Sequence, residues 1–519
     1  MRPSTQWRLT VAGLALAAGA RTADAQTAAR NPTADSVRRA AASWSRANRQ
    51  QIFRELTTFL AIPNLASDSV AIRRNADTLL AMLARRGVRG RLLESPGSPP
   101  AVYGELVTPG ATRTVMLYAH YDGQPVRPQE WRSPPWEPTL FDGRQADGAS
   151  PRRTLPDTGA GEWRLHARSA SDDKGPIVAM LAALDALRAA GIAPAVNVKF
   201  FFEGEEEAGS EHLAAMLRTH ASLLSADLWL FADGPVHQSR RQQVVFGVRG
   251  VMGAELTLYG PSRALHSGHY GNWAPNPAVA MAELIASMRG SDGRIRIAGF
   301  TDDVKPPTAA ERRAIAAVPE VEGALKHELL LGGAEGGDGS ILERIMEPSI
   351  NVRGLASGAV GATAANAIPV DARASIDFRL VPDQSPTRIR SLVEAHVRAQ
   401  GFHVVHDEPT AEERRTHPRV LRIQWDEGYP ATRTAIDSPA ASALLAVVDA
   451  SLGRPAVRVP TLGGSLPMYV FGEVLSAPLV VLPIVNHDND QHAANENLRL
   501  QNLWDGIELF AGILARLRW

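Results

Sequence analysis

Four apolar segments of the sequence end in acidic or histidine residues, and such side chains can bind metal ions. In chain order, the residues at the ends of these segments are His120 and Asp122, the acidic run 203–207, Asp233, and the run 487–492. Independent surface loops would rarely repeat this arrangement. Several carboxylates at buried strand ends repel one another unless cations neutralise them. The recurrence therefore indicates a metal centre.

The composition limits what kind of centre this is. The chain has no cysteine, so imidazole and carboxylate groups must provide the ligands, a set that suits zinc or a similar divalent ion. Two ions about 3.5 to 4 Å apart, joined by a shared carboxylate, can polarise a carbonyl group and generate hydroxide near neutral pH. A further carboxylate would then carry the proton. The spacing alone leaves open which acid bridges the ions and which is the base.

The elements that would position these residues alternate between strands and helices. Hydrophobic patterning predicts strands over 114–119, 196–202 and 227–231, and helices over 41–60, 70–86, 176–190 and 211–224. This order predicts an α/β fold with a largely parallel sheet and helices on both faces. In such sheets ligands bind beyond the carboxyl ends of the strands, where the acidic and histidine residues are found.

The pattern changes near residue 245, where alternating strands indicate a separate α+β unit with one sheet face exposed. Its strands are predicted around 254–258 and 374–380, with helices over 277–288 and ending near 398. We therefore predict a metal-binding catalytic domain over 45–244 and 431–519, and an inserted lid and dimerisation domain over 245–430. Two glycine-rich stretches are predicted to lack regular structure, 143–161 as a surface loop and 300–340 as a mobile or extended excursion.

Charge and the amino terminus suggest the partners and the compartment. Lys plus Arg and Asp plus Glu are both 55, which gives no footprint for nucleic acid or for an anionic membrane. A small substrate is the expected partner. Residues 1–25 have a basic start, a short apolar run and the small residues Ala23 and Ala25 on either side of Asp24, the pattern of a cleaved signal peptide. This predicts an exported protein, periplasmic or secreted, with no membrane segment after cleavage.

Five ordered motifs closely resemble those of carnosinases and cytosolic non-specific dipeptidases. They are Ala119-His120-Tyr121-Asp122, the run 171–176 (Ser-Asp-Asp-Lys-Gly-Pro), the run 203–210 (Glu-Gly-Glu-Glu-Glu-Ala-Gly-Ser), the run 265–271 (Leu-His-Ser-Gly-His-Tyr-Gly), and Gly463-Gly464-Ser465-Leu466-Pro467. These enzymes belong to a two-metal peptidase family that also includes carboxypeptidase G and succinyl-diaminopimelate desuccinylase. The resemblance spans roughly residues 45 to 519.

The resemblance implies a role for each candidate at the metal centre. One ion would be bound by His120, Asp172 and Asp233, and the other by Asp172, Glu207 and His492, with Asp172 as the bridge. Glu206 would be the general base, and Asp122 would orient His120. The cofactor would be two divalent ions per chain, zinc in the first place, with manganese or cobalt as alternatives. The Asp172–Asp173 peptide bond is expected to be cis.

The resemblance also implies substrate contacts and a homodimer. His266, in the inserted domain, would cross the dimer interface and stabilise the oxyanion. Arg379 would bind the substrate carboxylate, and Gly464 and Ser465 would line the carboxyl side of the pocket. Asn366 is a further candidate substrate contact, at a position where the dipeptidases tend to have threonine. The implied reaction is hydrolysis of an amide bond in dipeptides or similar small peptides.

Other functions fit parts of the sequence. A carboxypeptidase or an N-acyl-amino-acid deacylase would use the same metal site, because specificity lies in the pocket walls. Ser171 and Lys174 match Ser-x-x-Lys, the signature of a serine acyl-enzyme, but the companion motifs of that class are absent. A metal-free binding homologue is the non-enzymatic alternative.

Overall fold

The computed structural model describes residue 1, residues 32–337 and residues 339–519. Apart from residue 1, the predicted signal peptide lies outside these residues. No helix in the described part of the chain is both long enough and apolar enough to cross a membrane.

An eight-stranded sheet forms the centre of the larger unit, and the metal-site candidates follow its strands. From edge to edge its strands are Arg89–Leu93, Ala101–Leu106, Asn197–Glu203, Thr114–His120, Leu228–Phe231, Leu479–Val481, Gln243–Val245 and Val457–Val459. The central four run parallel to one another, and antiparallel pairs occur towards both edges. The carboxyl ends of these parallel strands, which carry the candidate ligands, therefore lie side by side at one end of the sheet.

Helices cover both faces of this sheet because its strands are apolar on both sides. Along Thr114–His120, Val115 and Leu117 belong to one hydrophobic core, and Met116 and Tyr118 belong to the other. The first core is covered by the helices Ala34–Ala47, Arg49–Leu60, Ser69–Arg85, Lys174–Ala189, Pro439–Leu452 and Leu500–Arg516, and the second by Leu213–Thr219, Ala221–Leu224 and Met468–Leu475. The predicted α/β class is confirmed.

The helix predicted over 41–60 consists of two helices, Ala34–Ala47 and Arg49–Leu60, which meet at Asn48. Both the backbone N–H and the side-chain amide of Asn48 donate to the carbonyl of Trp44, each at 2.9 Å. This side-chain bond closes the first helix, because asparagine competes with the backbone for hydrogen bonds. The hydrophobic period continues through the break, so the sequence pattern does not reveal it.

A second, antiparallel sheet contains strands only from between residues 250 and 425. In spatial order they are Ser349–Ala356, Asp371–Leu380, Gly250–Tyr259, Val420–Trp425 and His403–Val405, the last pair being parallel. The helices Pro277–Met288 and Pro386–Ala399 cover one face and share its hydrophobic core. This arrangement matches the expected α+β unit, while the exact domain boundaries stay a prediction.

The expectation of an extended excursion over 300–340 is wrong. This part of the chain contains the helices Ala309–Ala316 and Glu322–Glu328, and the helix Ile341–Ile345 follows it. Buried Glu311 forms an ion pair with Arg433 at 3.1 Å, which attaches the first of these helices. Thr308 and Ser340 each close a capping box, a start signal that the nearby glycines obscured in the sequence.

The predicted surface loop at 143–161 contains a short strand, Pro151–Arg152. It joins Thr139–Phe141, Arg164–His166 and Asn497–Arg499 in a four-stranded antiparallel sheet. The remaining short elements are the strand pairs Gly247–Val248 with Thr432–Arg433 and Leu265–His266 with Ala367–Ile368, the helices Ser267–Tyr270 and Ala411–Thr416, and the 3-10 turns Pro128–Glu130, Gln145–Asp147, Glu206–Ala208 and Gly361–Thr363.

Candidate metal centre

The side chains of the candidate site lie at the carboxyl ends of three neighbouring parallel strands of the first sheet. His120 ends one strand and lies opposite Glu203, which ends the next. Asp233 follows two residues after the third strand, Leu228–Phe231. Because the strands are parallel and adjacent, these residues lie close together although they are far apart in sequence.

The structure brings all five predicted metal ligands together in two groups. His120, Asp172 and Asp233 form one group, and Asp172, Glu207 and His492 form the other, with the ligand atoms of each group within 4.8 Å of one another. Asp172 belongs to both. One of its carboxylate oxygens lies 2.8 Å from His120 Nε2, and the other lies 3.1 Å from His492 Nε2. The side chain is therefore placed to bridge two ions.

The acidic groups of the centre are held in conditions that oppose their ionisation. Burial raises the pKa of Asp233 to about 6 and that of Glu207 to about 8, and the charge of Asp172 acts in the same direction on both. Burial also opposes ionisation of Asp172, but the imidazoles of His120 and His492 hold its pKa below the ordinary value. The ligand atoms of these carboxylates thus lie close together in a largely buried region.

This chemistry fits a pair of divalent cations. A cation would offset both the burial and the repulsion from Asp172 that raise the pKa values of Asp233 and Glu207. Each group offers one imidazole and two carboxylates, and both are ligand types that bind zinc. His120 and Asp172 are buried, whereas the side chain of His492 is 54% exposed, so the second group lies nearer to solvent.

Asp122 contacts more than the histidine it was expected to orient. Its carboxylate lies 3.4 Å from His120 Nδ1, and it also accepts the backbone N–H groups of Glu206 and Glu207 at 3.1 and 3.0 Å. These contacts fix the 3-10 turn Glu206–Ala208 against the strand Thr114–His120. One buried side chain therefore positions a candidate ligand on each side of the centre.

Glu206, the predicted general base, belongs to neither ligand group. Burial raises its pKa well above the ordinary value, and His120 opposes this shift while neighbouring Asp233 and Glu207 add to it. The residue lies beside the centre, adjacent in sequence to the ligand Glu207. It is thus a carboxylate close to both groups and outside both.

Arg379 and Ser465, 86 residues apart in sequence, are hydrogen-bonded in the structure. Arg379 donates to Ser465 Oγ at 2.9 Å and to Asp377 at 3.0 Å. The carbonyl of neighbouring Gly464 accepts the backbone N–H of Arg249 at 3.3 Å. Three of the predicted substrate contacts thus meet where the second sheet approaches the first unit.

His266 and Asn366 lie together, but apart from the other candidates. The strands Leu265–His266 and Ala367–Ile368 pair, and the carbonyl of Asn366 accepts the N–H of Ser267 at 2.9 Å. Both residues are exposed. Within the described part of the chain, no hydrogen bond or ion pair joins either side chain to a metal-ligand residue.

Residues outside the predicted set also support the centre. Tyr118 donates to Glu203 at 2.7 Å, and Gln124 donates to Glu207 at 2.6 Å. Buried Glu496 accepts backbone N–H groups from the segment that contains Asp172. The acidic run drew attention to Glu203, but nothing in the local sequence distinguishes Gln124 or Glu496. The Asp172–Asp173 bond is cis, as expected.

The contacts of Ser171 and Lys174 disfavour the serine-enzyme alternative. Ser171 Oγ donates to Glu496 at 2.8 Å. Lys174 is fully buried and its ammonium donates to the carbonyls of Phe59 and Ile62, at 3.0 and 2.9 Å. The hydroxyl and the amine are thus bonded to other partners, and no proton-transfer contact joins them.

Comparison with known proteins places these features in a family context. A sequence model described as "Peptidase family M20/M25/M40" matches residues 116–516. The Cys-Gly metallodipeptidase dug1 of Schizosaccharomyces pombe is 26% identical over 437 residues, covering 81% of this chain and 83% of that protein. The human Beta-Ala-His dipeptidase is 24% identical over 434 residues, covering 81% and 78%.

Solved structures of two proteins share this fold over most of the chain. The M20 family metallo-carboxypeptidase Sso-CP2 from Sulfolobus solfataricus has a TM-score of 0.71 at 28% identity, covering 90% of this chain and 99% of that one. Human carnosine dipeptidase 1 has a TM-score of 0.69 at 22% identity, covering 93% and 98%. The second likeness concerns the fold alone.

These relatives correct one prediction. The yeast Cys-Gly metallodipeptidases that match this chain are intracellular, which conflicts with the predicted signal peptide and with a secreted or periplasmic protein. That prediction rested on the composition of the amino-terminal residues, and a short apolar run flanked by basic and small residues carries little specific information.

Proposed function

Because the chain belongs to the peptidase family M20/M25/M40, we propose that it hydrolyses the amide bond of dipeptides or similar small peptides at a centre of two divalent metal ions. That it is a dipeptidase-like metallopeptidase follows from its metallodipeptidase relatives. The ions, the proton carrier and the substrate contacts are the proposed parts.

The observation that carries the proposal is the position of Asp172 in two ligand groups at once. A single carboxylate shared by two sets of imidazole and carboxylate ligands is the usual construction of a two-metal hydrolase. Zinc suits the ligand set, and manganese or cobalt would also be accepted. When bound, such ions polarise a carbonyl group and lower the pKa of water.

Glu206 is the proposed general base. Its carboxylate lies beside both groups without belonging to either, so it can take a proton from the attacking water and pass it to the nitrogen of the leaving amine. Asp122 supports this role by accepting the backbone N–H of Glu206, which fixes the turn on which the base lies. The same carboxylate orients His120.

Arg379 and Ser465 are proposed to bind the carboxylate of the substrate. A guanidinium group already oriented by Asp377 and Ser465 offers its remaining N–H groups in a fixed geometry, which suits a planar carboxylate. Gly464 adds a backbone wall beside them. A substrate with a free carboxylate close to the cleaved bond, as in a dipeptide, fits this arrangement.

A homodimer would complete the site. His266 is exposed on the second unit, and in the described chain it forms no hydrogen bond or ion pair with the metal ligands. Ser349–Ala356 is an edge strand of the second sheet with mostly exposed residues, and Trp273, Val279 and Leu355 are exposed apolar side chains of the same unit. Unpaired edges and exposed apolar side chains favour association. In the dimer, His266 of one copy would stabilise the oxyanion at the other copy's site.

The proposal is tested by hydrolysis of a substrate panel before and after chelation. The panel contains Cys-Gly, β-Ala-His, a C-terminally extended tripeptide and an N-acetyl amino acid. We expect cleavage of dipeptides, loss of activity with the chelator, and recovery when zinc or manganese is restored. A chelator-resistant activity together with covalent labelling of Ser171 would support the serine enzyme instead.

The same panel separates the alternatives. Preferred cleavage of the tripeptide at its carboxyl end would identify a carboxypeptidase, and preferred cleavage of the N-acetyl amino acid a deacylase. A chain that binds no metal and cleaves nothing would be a binding homologue. Each of these three outcomes contradicts the dipeptidase proposal.

A further inference from the structure

We infer that Glu496 is a positioning residue that fixes Asp172 for both metal ions. This inference rests on the proposed two-metal function. Glu496 is fully buried and lies four residues after the candidate ligand His492. It belongs to neither ligand group.

The carboxylate of Glu496 is saturated by hydrogen bonds from a single segment of the chain. One oxygen accepts the backbone N–H groups of Ser171 and Asp172, each at 3.0 Å, and the hydroxyl of Ser171 at 2.8 Å. The other accepts the backbone N–H of Ser169 at 2.9 Å and the guanidinium of Arg168 at 2.8 Å. A carboxylate offers about four lone-pair sites, so this one has no capacity left to bind a metal ion.

The segment needs such an acceptor because it has no regular structure of its own. It connects the strand Arg164–His166 to the helix Lys174–Ala189, and Ser169 adopts a left-handed conformation with φ of 63°. Ser169, Ser171 and Asp172 are buried, and buried N–H groups without acceptors are costly. Glu496 satisfies all three.

Backbone contacts hold Glu496 itself in place. The carbonyl of Glu496 accepts the N–H of Ala167 at 3.2 Å, and Asn497 pairs with His166 in the four-stranded sheet. Arg168 also donates to the carbonyl of Ala493 at 3.3 Å. The segment that follows His492 and the segment that precedes Asp172 are therefore joined at several points.

The consequence concerns both ions together. A shift of the Asp172 backbone would displace the one side chain that both groups share. Loss of Glu496 should therefore weaken the binding of both ions. Loss of a ligand that belongs to one group alone, such as His120 or His492, should weaken the binding of mainly one ion. Substitution of residues that orient metal ligands commonly costs about 10-fold to 100-fold in metal affinity.

The test compares Glu496→Gln with wild type by titrating zinc against a competing chelator. Gln keeps the size of the side chain but turns an N–H group towards the N–H groups of the segment. We expect both ions to bind about 10-fold to 100-fold more weakly. Glu496→Asp, which keeps the charge, should recover part of the loss. Unchanged affinity for both ions in the folded Glu496→Gln variant would overturn the inference.

Asn497→Ala provides the matched control. Asn497 is equally buried and accepts hydrogen bonds from Arg164 and Asn486, but its side chain forms no hydrogen bond with the segment 168–172. If Glu496 were merely structural, both variants would lower the unfolding temperature of the metal-free protein, and the two variants would bind zinc with the same affinity. A selective loss of zinc affinity in Glu496→Gln supports the positioning role.

Two further results keep the conclusions separate. Should Glu496→Gln fail to fold, Ser171→Ala removes a single hydrogen bond to Glu496 and should weaken zinc binding by about tenfold, the lower end of what one bond to a charged group contributes. No change in Ser171→Ala would then contradict the inference. Wild-type protein that binds no zinc would refute the proposed function. If wild type binds two ions and Glu496→Gln binds them equally tightly, only the role of Glu496 is refuted.

Discussion

The two units of the molecule contribute to the site in different ways. At the carboxyl ends of the first sheet's parallel strands, His120, Asp172 and Asp233 are buried, and their ligand atoms lie within 4.8 Å of one another. On the second unit, His266 and Asn366 are exposed, and their two segments are hydrogen-bonded to each other through the N–H of Ser267 and the carbonyl of Asn366. The first arrangement is complete within one chain, whereas the second becomes useful only when something else supplies the other half of the contact.

Arg379 is the exception that joins the two units. It lies on the second sheet, yet it donates to Ser465 in the loop that belongs to the first unit. The comparison therefore separates three proposed roles: metal binding by one unit, substrate binding where the units meet, and stabilisation of the oxyanion by an exposed residue of a partner copy. Each of the following predictions tests one of these roles.

The largest effect is expected for Glu206→Gln, which removes the proposed base from the first unit. Proton transfer by a positioned side chain is commonly worth roughly 100-fold to 10,000-fold, so kcat on a dipeptide should fall by that amount. Metal content should stay at the wild-type value, because Glu206 belongs to neither ligand group. Exposed Glu211→Gln is the control. Full activity of Glu206→Gln would mean that the base has been misassigned.

His266→Ala should produce the next largest effect, a fall of about 100-fold to 1,000-fold in kcat, the usual cost of losing one oxyanion donor. Zinc content should not change. His269→Ala is the matched control, since its ring lies 4.5 Å from that of His266. An unaltered rate in His266→Ala would leave the second unit without a part in the chemistry.

Mixing the two inactive variants sharpens this test. In a mixed dimer, the site that keeps Glu206 would receive His266 from its partner. Statistical exchange in a two-fold dimer should then restore roughly a quarter of the wild-type rate. If His266 served the site of its own chain, mixing would restore nothing.

The sequence predicted the first unit far better than the contacts between units. The ends of strands such as Thr114–His120 follow from local apolar runs, and the confirmed family resemblance predicted which side chains would meet there. The contact between Arg379 and Ser465, and that between Asp172 and Glu496, join residues 86 and 324 positions apart. No local period encodes such contacts, because they depend on how complete elements pack.

The sequence was also misleading where glycines stand beside helix caps. The helices Ala309–Ala316 and Ile341–Ile345 start at Thr308 and Ser340, each followed three residues later by glutamate. These start signals are present in the sequence, but the glycines between them favoured an extended segment. The capping signals and the packing of the helices agree, since Glu311 closes a capping box and also forms a buried ion pair with Arg433.

The smallest effect is expected at the junction of the two units. Arg379→Met should lower kcat/KM for a dipeptide by about 10-fold to 100-fold, the cost of losing hydrogen bonds to a charged group. The loss should be much smaller for the same dipeptide with an amidated carboxyl terminus. Arg373→Met, on the same strand and the same face, is the control. Equal losses for the acid and the amide would contradict carboxylate recognition by Arg379.

The shared position of Asp172 is tested most directly by elemental analysis of purified wild-type protein and Asp172→Ala. Wild-type protein should contain about two divalent ions per chain, the number expected for a centre bridged by one carboxylate. Asp172→Ala should contain close to none while remaining folded. Wild-type protein with at most one ion, or an Asp172→Ala variant that keeps both, would contradict a two-metal centre built around this residue.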